Sequence, residues 1–489
     1  MKKEKNFLEF KNENGSITLF VLIAMLFFLI VALGIYFGSQ NKLQSQISEI
    51  DEIKKNYEIS DDDLDTMYSD IIKVPELWRR TTTDDPEWYS YIDANAEDDE
   101  TAVATVNAPK LTGGMEPIKY VGPEADTQTG SKWANAITSD GSMFVWIPRY
   151  AYKITSGYHQ SGTDTTGGTI EIKFLKGTTN EFLDGSGEAE TDPSKITYKD
   201  DGTGNQVQNE WLVHPAFTSV PENGGWDTEL EGIWVGKFET TGEYTDGNAS
   251  KVTVKPGEQS LANMTINEQY KAGKSATFGE ANSELIGSHM AKNIEWGAIV
   301  YLTQSKYGIN GQEVQRNTNN VGQTGGSNDP KTIYTTNKKQ STTYNSYGIY
   351  DMVGGSNENI ASYVNYTYVN NNHLANNGGT AQGDLYGANE TEQKTSTKYK
   401  TVYAASGTSQ SSSYNLAAEK KGDGVYETSN SYSSSTGAWF GDSFTFPYIN
   451  LPFFRRSGHY GENNVGIFSS TTHNGIAIGT SSFRLIIII

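Results

Sequence analysis

The chain has 489 residues, with 38 Lys and Arg against 59 Asp and Glu and a formal charge of -21. A nucleic-acid-binding surface neutralises phosphates with cations, so this balance argues against a nucleic-acid partner. The absence of Cys excludes disulfides, thiolate zinc sites and a cysteine nucleophile.

Residues 1–15 form a basic leader, with Lys2, Lys3, Lys5 and Lys11. From Ile17 to Phe37 the chain runs 21 residues without a charge. At roughly 1.5 Å per residue this crosses a hydrocarbon core of about 30 Å. A transmembrane helix is therefore expected over 16–38. The lysines before it place the N-terminus in the cytoplasm and the remaining chain outside the cell membrane. A helical stalk is expected over 39–79, where Leu43, Ile47, Ile50, Ile53 and Tyr57 fall on one helical face. That stripe suits either packing on the protein's own surface or self-association as a coiled coil. Asp61, Asp62 and Asp63 suit a helix N-cap and first turn.

Residues 80–140, rich in Thr, Asp, Glu, Gly and Pro, read as an irregular linker. A folded domain is expected over 143–489. Strands are predicted in MFVWIPRYAYKI from Met143, LVHPAFT at 212–218 and LEGIWVGKFET at 230–240. The 29 Tyr, 19 Phe and 9 Trp support a strand-rich core. Residues 292–308 instead space Ile294, Ala298, Ile299, Tyr301 and Leu302 on a helical face ending at Gly308, which makes the class α+β. The final SSFRLIIII reads as a core strand. Four Gly, Ser, Thr and Asn-rich inserts, at about 155–210, 241–285, 309–342 and 365–435, read as loops that are binding surface or disordered.

Two resemblances enter on particular residues. Gly15 followed by Ser16, Ile17, Thr18, Leu19 and the long apolar run resembles the class III leader of type IV pilins and pseudopilins, which implies cleavage after Gly15. That family usually has Glu at the fifth mature position, where this chain has Phe20. Further on, FVWIP at 144–148, NIEWGA at 293–298, YGIYDMVGG at 347–355, FRRSG at 454–458 and SSFRL at 481–485 together resemble the formylglycine-generating, sulfatase-modifying family. The resemblance implies a C-type-lectin-like fold with long loop inserts, closed by pairing of the first strand near Val145 with the last near Leu485.

In that family two cysteines bind copper and perform the oxidation, so a chain without Cys is expected to lack copper and this activity. The resemblance also implies one calcium site from Asp351, Gly354, Ser356 and Glu358, since carboxylate and carbonyl oxygens suit a hard cation. Gly355, Asn357 and Asn359 depart from the family's pattern, and a purely structural turn is the alternative. The six His form no H-E-x-x-H pattern. By resemblance, the ligand-facing end is Arg455 to Ser482, with Arg455, Ser457, His459, Tyr460, Glu462, Asn463, Asn464, Phe468, Ser469, His473 and Asn474. Short polar side chains beside aromatics suit recognition. The leading expectation is a membrane-anchored adhesin or receptor-binding surface protein with a non-catalytic lectin-like domain and a protein or glycan ligand. A pilin-like structural subunit and an enzyme of unknown chemistry are the alternatives.

Overall fold

Strand propensity and turn chemistry divide the chain into many short strands, and a few helices cover the sheets they form. A computed structural model describes residues 71–73 and most of 109–488, the longest gap being 367–383. In chain order the strands named below are β1 (Ile71–Lys73), β2 (Glu116–Tyr120), β3 (Asn135–Ile137), β4 (Met143–Pro148), β5 (Tyr150–Ser156), β6 (Thr169–Phe174), β7 (Tyr198–Asp200), β8 (Gln206–Gln208), β9 (Leu212–Val213), β10 (Gly232–Gly236), β11 (Thr241–Thr245), β12 (Asn248–Thr253), β13 (His289–Met290), β14 (Asn357–Asn365), β15 (Thr401–Ala404), β16 (Ser433–Ser434), β17 (Phe444–Thr445), β18 (Phe453–Arg456), β19 (Ser470–His473), β20 (Ser481–Phe483) and β21 (Leu485–Ile487). Helix α1 spans Ile266–Ser275 and α2 spans Asn293–Gln304. The class is α+β and strand-rich.

One sheet has the order β1-β2-β3-β4-β10-β21-β13 and is antiparallel throughout. Its central strands are apolar on both faces. Val145, Ile147, Ile233, Val235 and Ile486 point into one core, which also holds Trp296 and Ala298 to Leu302 of α2. Phe144, Trp146, Trp234, Leu485 and Ile487 point into the other, with Ile266 and Tyr270 of α1. Burial on both faces explains the unbroken apolar runs in these strands, where a half-exposed strand would alternate.

The second sheet runs β15-β14-β18-β19-β17-β16, with β20 also on β14. Strand β14 is parallel to β15 along one half and to β20 along the other, and antiparallel to β18. A third sheet, β6-β5-β9, and two hairpins, β7-β8 and β11-β12, complete the scaffold.

Helix α2 starts where the Glu295 side chain accepts from Lys292 N at 2.8 Å. It stops at Gln304 rather than Gly308 because the chain folds back on its end. Ile309 N and Gly311 N donate to the carbonyls of Thr303 and Gln304, which the last turn leaves without helical partners. Gly308 is required there, since a Cβ would lie 2.2 Å from Thr303 O.

Five further expectations are corrected. Ile71–Lys73, assigned to the helical stalk, is a strand paired with β2. The linker expected over 80–140 contributes β2 and β3 to the first sheet, because alternate residues such as Ile118, Tyr120 and Ala136 bury in its core. The closing pair is not direct, for β10 lies between β4 and β21. The terminal run is two strands that break at Arg484. Three of the four inserts are built structure rather than loop alone: 155–210 holds β6 to β8, 241–285 holds β11, β12 and α1, and 365–435 holds β15, with Ile170, Ile172, Tyr270 and Val402 of these elements buried.

The described residues belong to a compact unit spanning 65–489. The expected leader, transmembrane helix, stripe at 43–57 and Asp61 to Asp63 lie outside the described residues. Among the described residues no helix is long and apolar enough to cross a membrane.

Candidate binding surface

The residues read as ligand-facing divide between a turn and a strand face. The turn leaves β18 through Ser457 and Gly458, both left-handed at φ 77° and 76°, which carries the chain out of the sheet. Its backbone is then tied down. Ser457 Oγ donates to Gly354 O at 3.2 Å. Tyr460 N donates to Gly355 O, Glu462 N to His459 O, and Ser443 N to Asn464 O at 2.7 Å. His459 Nδ1 accepts from Gly461 N at 3.0 Å, and Nε2 lies 3.3 Å from Glu462 Oε1. Ser457 is buried, His459, Tyr460 and Glu462 are half-buried, and Asn463 and Asn464 are exposed. Phe468 and Ser469 are buried and belong to the core.

The second group lies on one face of β18 and β19. Arg455 is opposite Thr471, and Phe453 is opposite His473. Period-two alternation therefore puts Arg455, Thr471 and His473 on the same side. Thr471 Oγ1 accepts from Arg455 Nε and Nη2, each at 3.2 Å, and Ser481 Oγ accepts from Nη1 at 3.5 Å. Among the described residues Arg455 makes no ion pair. Burial lowers its pKa, with the charge of Glu462 opposing. His473 is 3% exposed, and burial, then the Arg455 charge, push it down to about 4. It is neutral at pH 7, and Nδ1 accepts from Gly475 N at 3.1 Å. The ring proton is therefore on Nε2, a buried atom without a hydrogen-bond partner. Asn474 Oδ1 caps the next turn by accepting from Ile476 N.

The expected calcium residues sit in a buried charged cluster whose atoms are engaged with one another. Asp351, at φ 61°, accepts from Asn317 Nδ2 at 2.9 Å and from Gly325 N at 3.0 and 3.1 Å. Glu358 faces Arg484, which reaches both carboxylate oxygens, Nε at 3.1 Å. Arg484 also donates to Gly236 O and Tyr350 O. Gly354 O accepts from Ser457, and Ser356 presents its N–H to Glu239 at 2.7 Å. Glu239 is a third carboxylate that sequence reasoning missed. Burial first, then the charges of Asp351 and Glu358, raise its pKa well above the ordinary range. Gly355 is required beside it, since a Cβ would lie 2.6 Å from Glu239 Oε1. Among the described residues no group of three or more His, Asp and Glu is arranged to hold a metal ion.

A further polar centre carried no motif. Glu427 accepts from the hydroxyls of Tyr152 and Tyr301 at 3.0 and 2.8 Å, from Tyr198, and from Gly422 N at 2.6 Å. Beside it Asp423 accepts from Tyr403 and Val425 N, and burial pushes it up to about 6. Arg456, which faces the ring of Trp296, donates to Gly424 O. Helix α2 reaches this loop through Gly297, where a Cβ would meet Gly422 O. Asp423, Glu427, Asp442 and Arg456 are each at most 2% exposed, so the cluster lies in the interior rather than in an open cleft. Tyr198 also stacks on Tyr158, and His159 on Tyr426, centroids 3.3 and 3.8 Å apart, among half-buried rings.

No protein-family model matches the chain, and no curated protein matches its sequence.

Proposed function

We propose that this chain is a membrane-anchored, extracytoplasmic binding protein, an adhesin or receptor-binding surface protein with a non-catalytic, C-type-lectin-like domain. The observation that carries this reading is the 457–464 turn. Its backbone is bonded to the Gly354–Gly355 turn and to Ser443, while Asn463 and Asn464 are exposed. A fixed backbone with adaptable polar side chains loses little entropy when a ligand docks. The lectin-like fold rests on the resemblance carried by residues 144–148, 293–298, 347–355, 454–458 and 481–485. The anchor is supported by the uncharged run at 17–37.

The test is binding of the full chain, in detergent, to glycan and surface-protein arrays with and without calcium. Specific binding that falls at least tenfold in an Asn463→Ala, Asn464→Ala variant of unchanged fold supports the reading. A folded protein that binds nothing overturns it in favour of the pilin-like subunit, for which cleavage after Gly15 is the signature. Binding that needs calcium and is lost in Asp351→Asn would extend the proposal to the calcium site.

A further inference from the structure

The strand face beside the turn holds a combination with no structural use apparent in the fold. In a chain of charge -21, the half-buried Arg455 guanidinium meets, among the described residues, only two hydroxyls. Its nearest interacting acid, Glu462, lies against His459. A desolvated cation without a carboxylate is costly, and a guanidinium matches a planar anion with two parallel hydrogen bonds. A second donor is the Nε2–H of His473, buried on the same face and without a partner. The hydroxyls of Thr471 and Ser481 accept from Arg455, so each keeps its own hydrogen for donation. Arg455 and Thr471 are half-buried and give access from solvent, while His473 and Ser481 are buried beneath.

An acceptor lies in register with these donors. Asn359 lies opposite Arg455 in register. Its Nδ2 donates to Gln269 at 2.8 Å, while its buried Oδ1 has no partner.

We propose that Arg455, His473, Thr471 and Ser481 form a carboxylate-binding site, with Asn359 accepting from a neighbouring hydroxyl, so that the ligand is a sugar acid. The carboxylate lies against the guanidinium and the imidazole N–H. The adjacent hydroxyl reaches Asn359 Oδ1. This deepens the binding reading, on which it rests, by naming the ligand's charged group.

The test is calorimetric titration of the full chain, in detergent at constant ionic strength, with glucuronate, acetate and glucose. Glucuronate should bind saturably, acetate at least tenfold more weakly, and glucose not measurably. Arg455→Gln should weaken glucuronate at least tenfold, and Thr471→Val, which keeps the side-chain shape, several-fold. Lack of glucuronate binding by the wild type, or equal binding by folded Arg455→Gln, overturns the site. Acetate binding as tightly as glucuronate overturns the role given to Asn359. Array binding that persists while glucuronate neither binds nor competes sinks this inference alone, whereas absence of all array binding sinks the function it rests on.

Discussion

Two arginines separated by 29 positions, Arg455 and Arg484, occupy opposite electrostatic situations. Arg484 is fully buried with Glu358 across two hydrogen bonds, and its remaining donors meet backbone carbonyls. Arg455 is half-buried and, among the described residues, meets only hydroxyls. The first arrangement is closed, so removing one partner leaves a buried charge. The second is open, with hydrogen-bonding capacity that a ligand can use. An arginine's role is thus read from whether its partners complete it, not from its burial alone.

Breaking the closed pair has the largest expected effect. Arg484→Ala strands Glu358 and should cost about 3–5 kcal/mol, measured by denaturant unfolding. A loss below about 1 kcal/mol would show that the two arginines do not differ in this way.

Asp423 extends the comparison to a buried acid with hydrogen-bond donors but, among the described residues, no direct ion pair. Its folded pKa, about 6, lies above its ordinary value of 3.8, so the folded state holds this proton longer than the unfolded chain. The resulting penalty is absent below about pH 4, grows as pH rises, and is complete above about pH 6. Between pH 4 and pH 7 the stability of Asp423→Asn should therefore move in the variant's favour by about 3 kcal/mol, from roughly two units at 1.36 kcal/mol each. A pH-independent difference would remove Asp423 as the source.

Two smaller effects sharpen the contrast. Thr265 and Glu268 form a reciprocal cap on α1, and Thr265→Ala should cost about 1 kcal/mol in thermal or chemical unfolding. Arg455→Gln, at the open end of the comparison, should change stability by less than about 1 kcal/mol while weakening ligand. A large loss of stability there would make Arg455 structural.

Much of the scaffold was legible. The runs at Met143, Leu230 and Leu485 were read as strands because burial on both sheet faces leaves continuous apolar sequence. Helix α2 was read from its periodicity. Helix α1 was missed inside a polar insert, although Thr265-x-x-Glu268 is a capping box. The linker was misread because β2 and β3 are short and their apolar residues are spaced among Gly, Pro and acids. For the site, Arg455 and His473 enter only through the resemblance of their segment to a ligand-facing end, and nothing in sequence separates the closed Arg484 from the open Arg455.

Sequence by itself determined the charge balance, the exclusion of cysteine chemistry, the 21-residue uncharged run and the apolar strands of the core, because these depend on composition and local period. Tertiary structure decided which charges complete one another. Glu239, from the chain after β10, joins Asp351 and Glu358, and three tyrosines from distant segments converge on Glu427. Such pairings depend on strand order and register, which bring together residues more than a hundred positions apart and leave no local pattern to read.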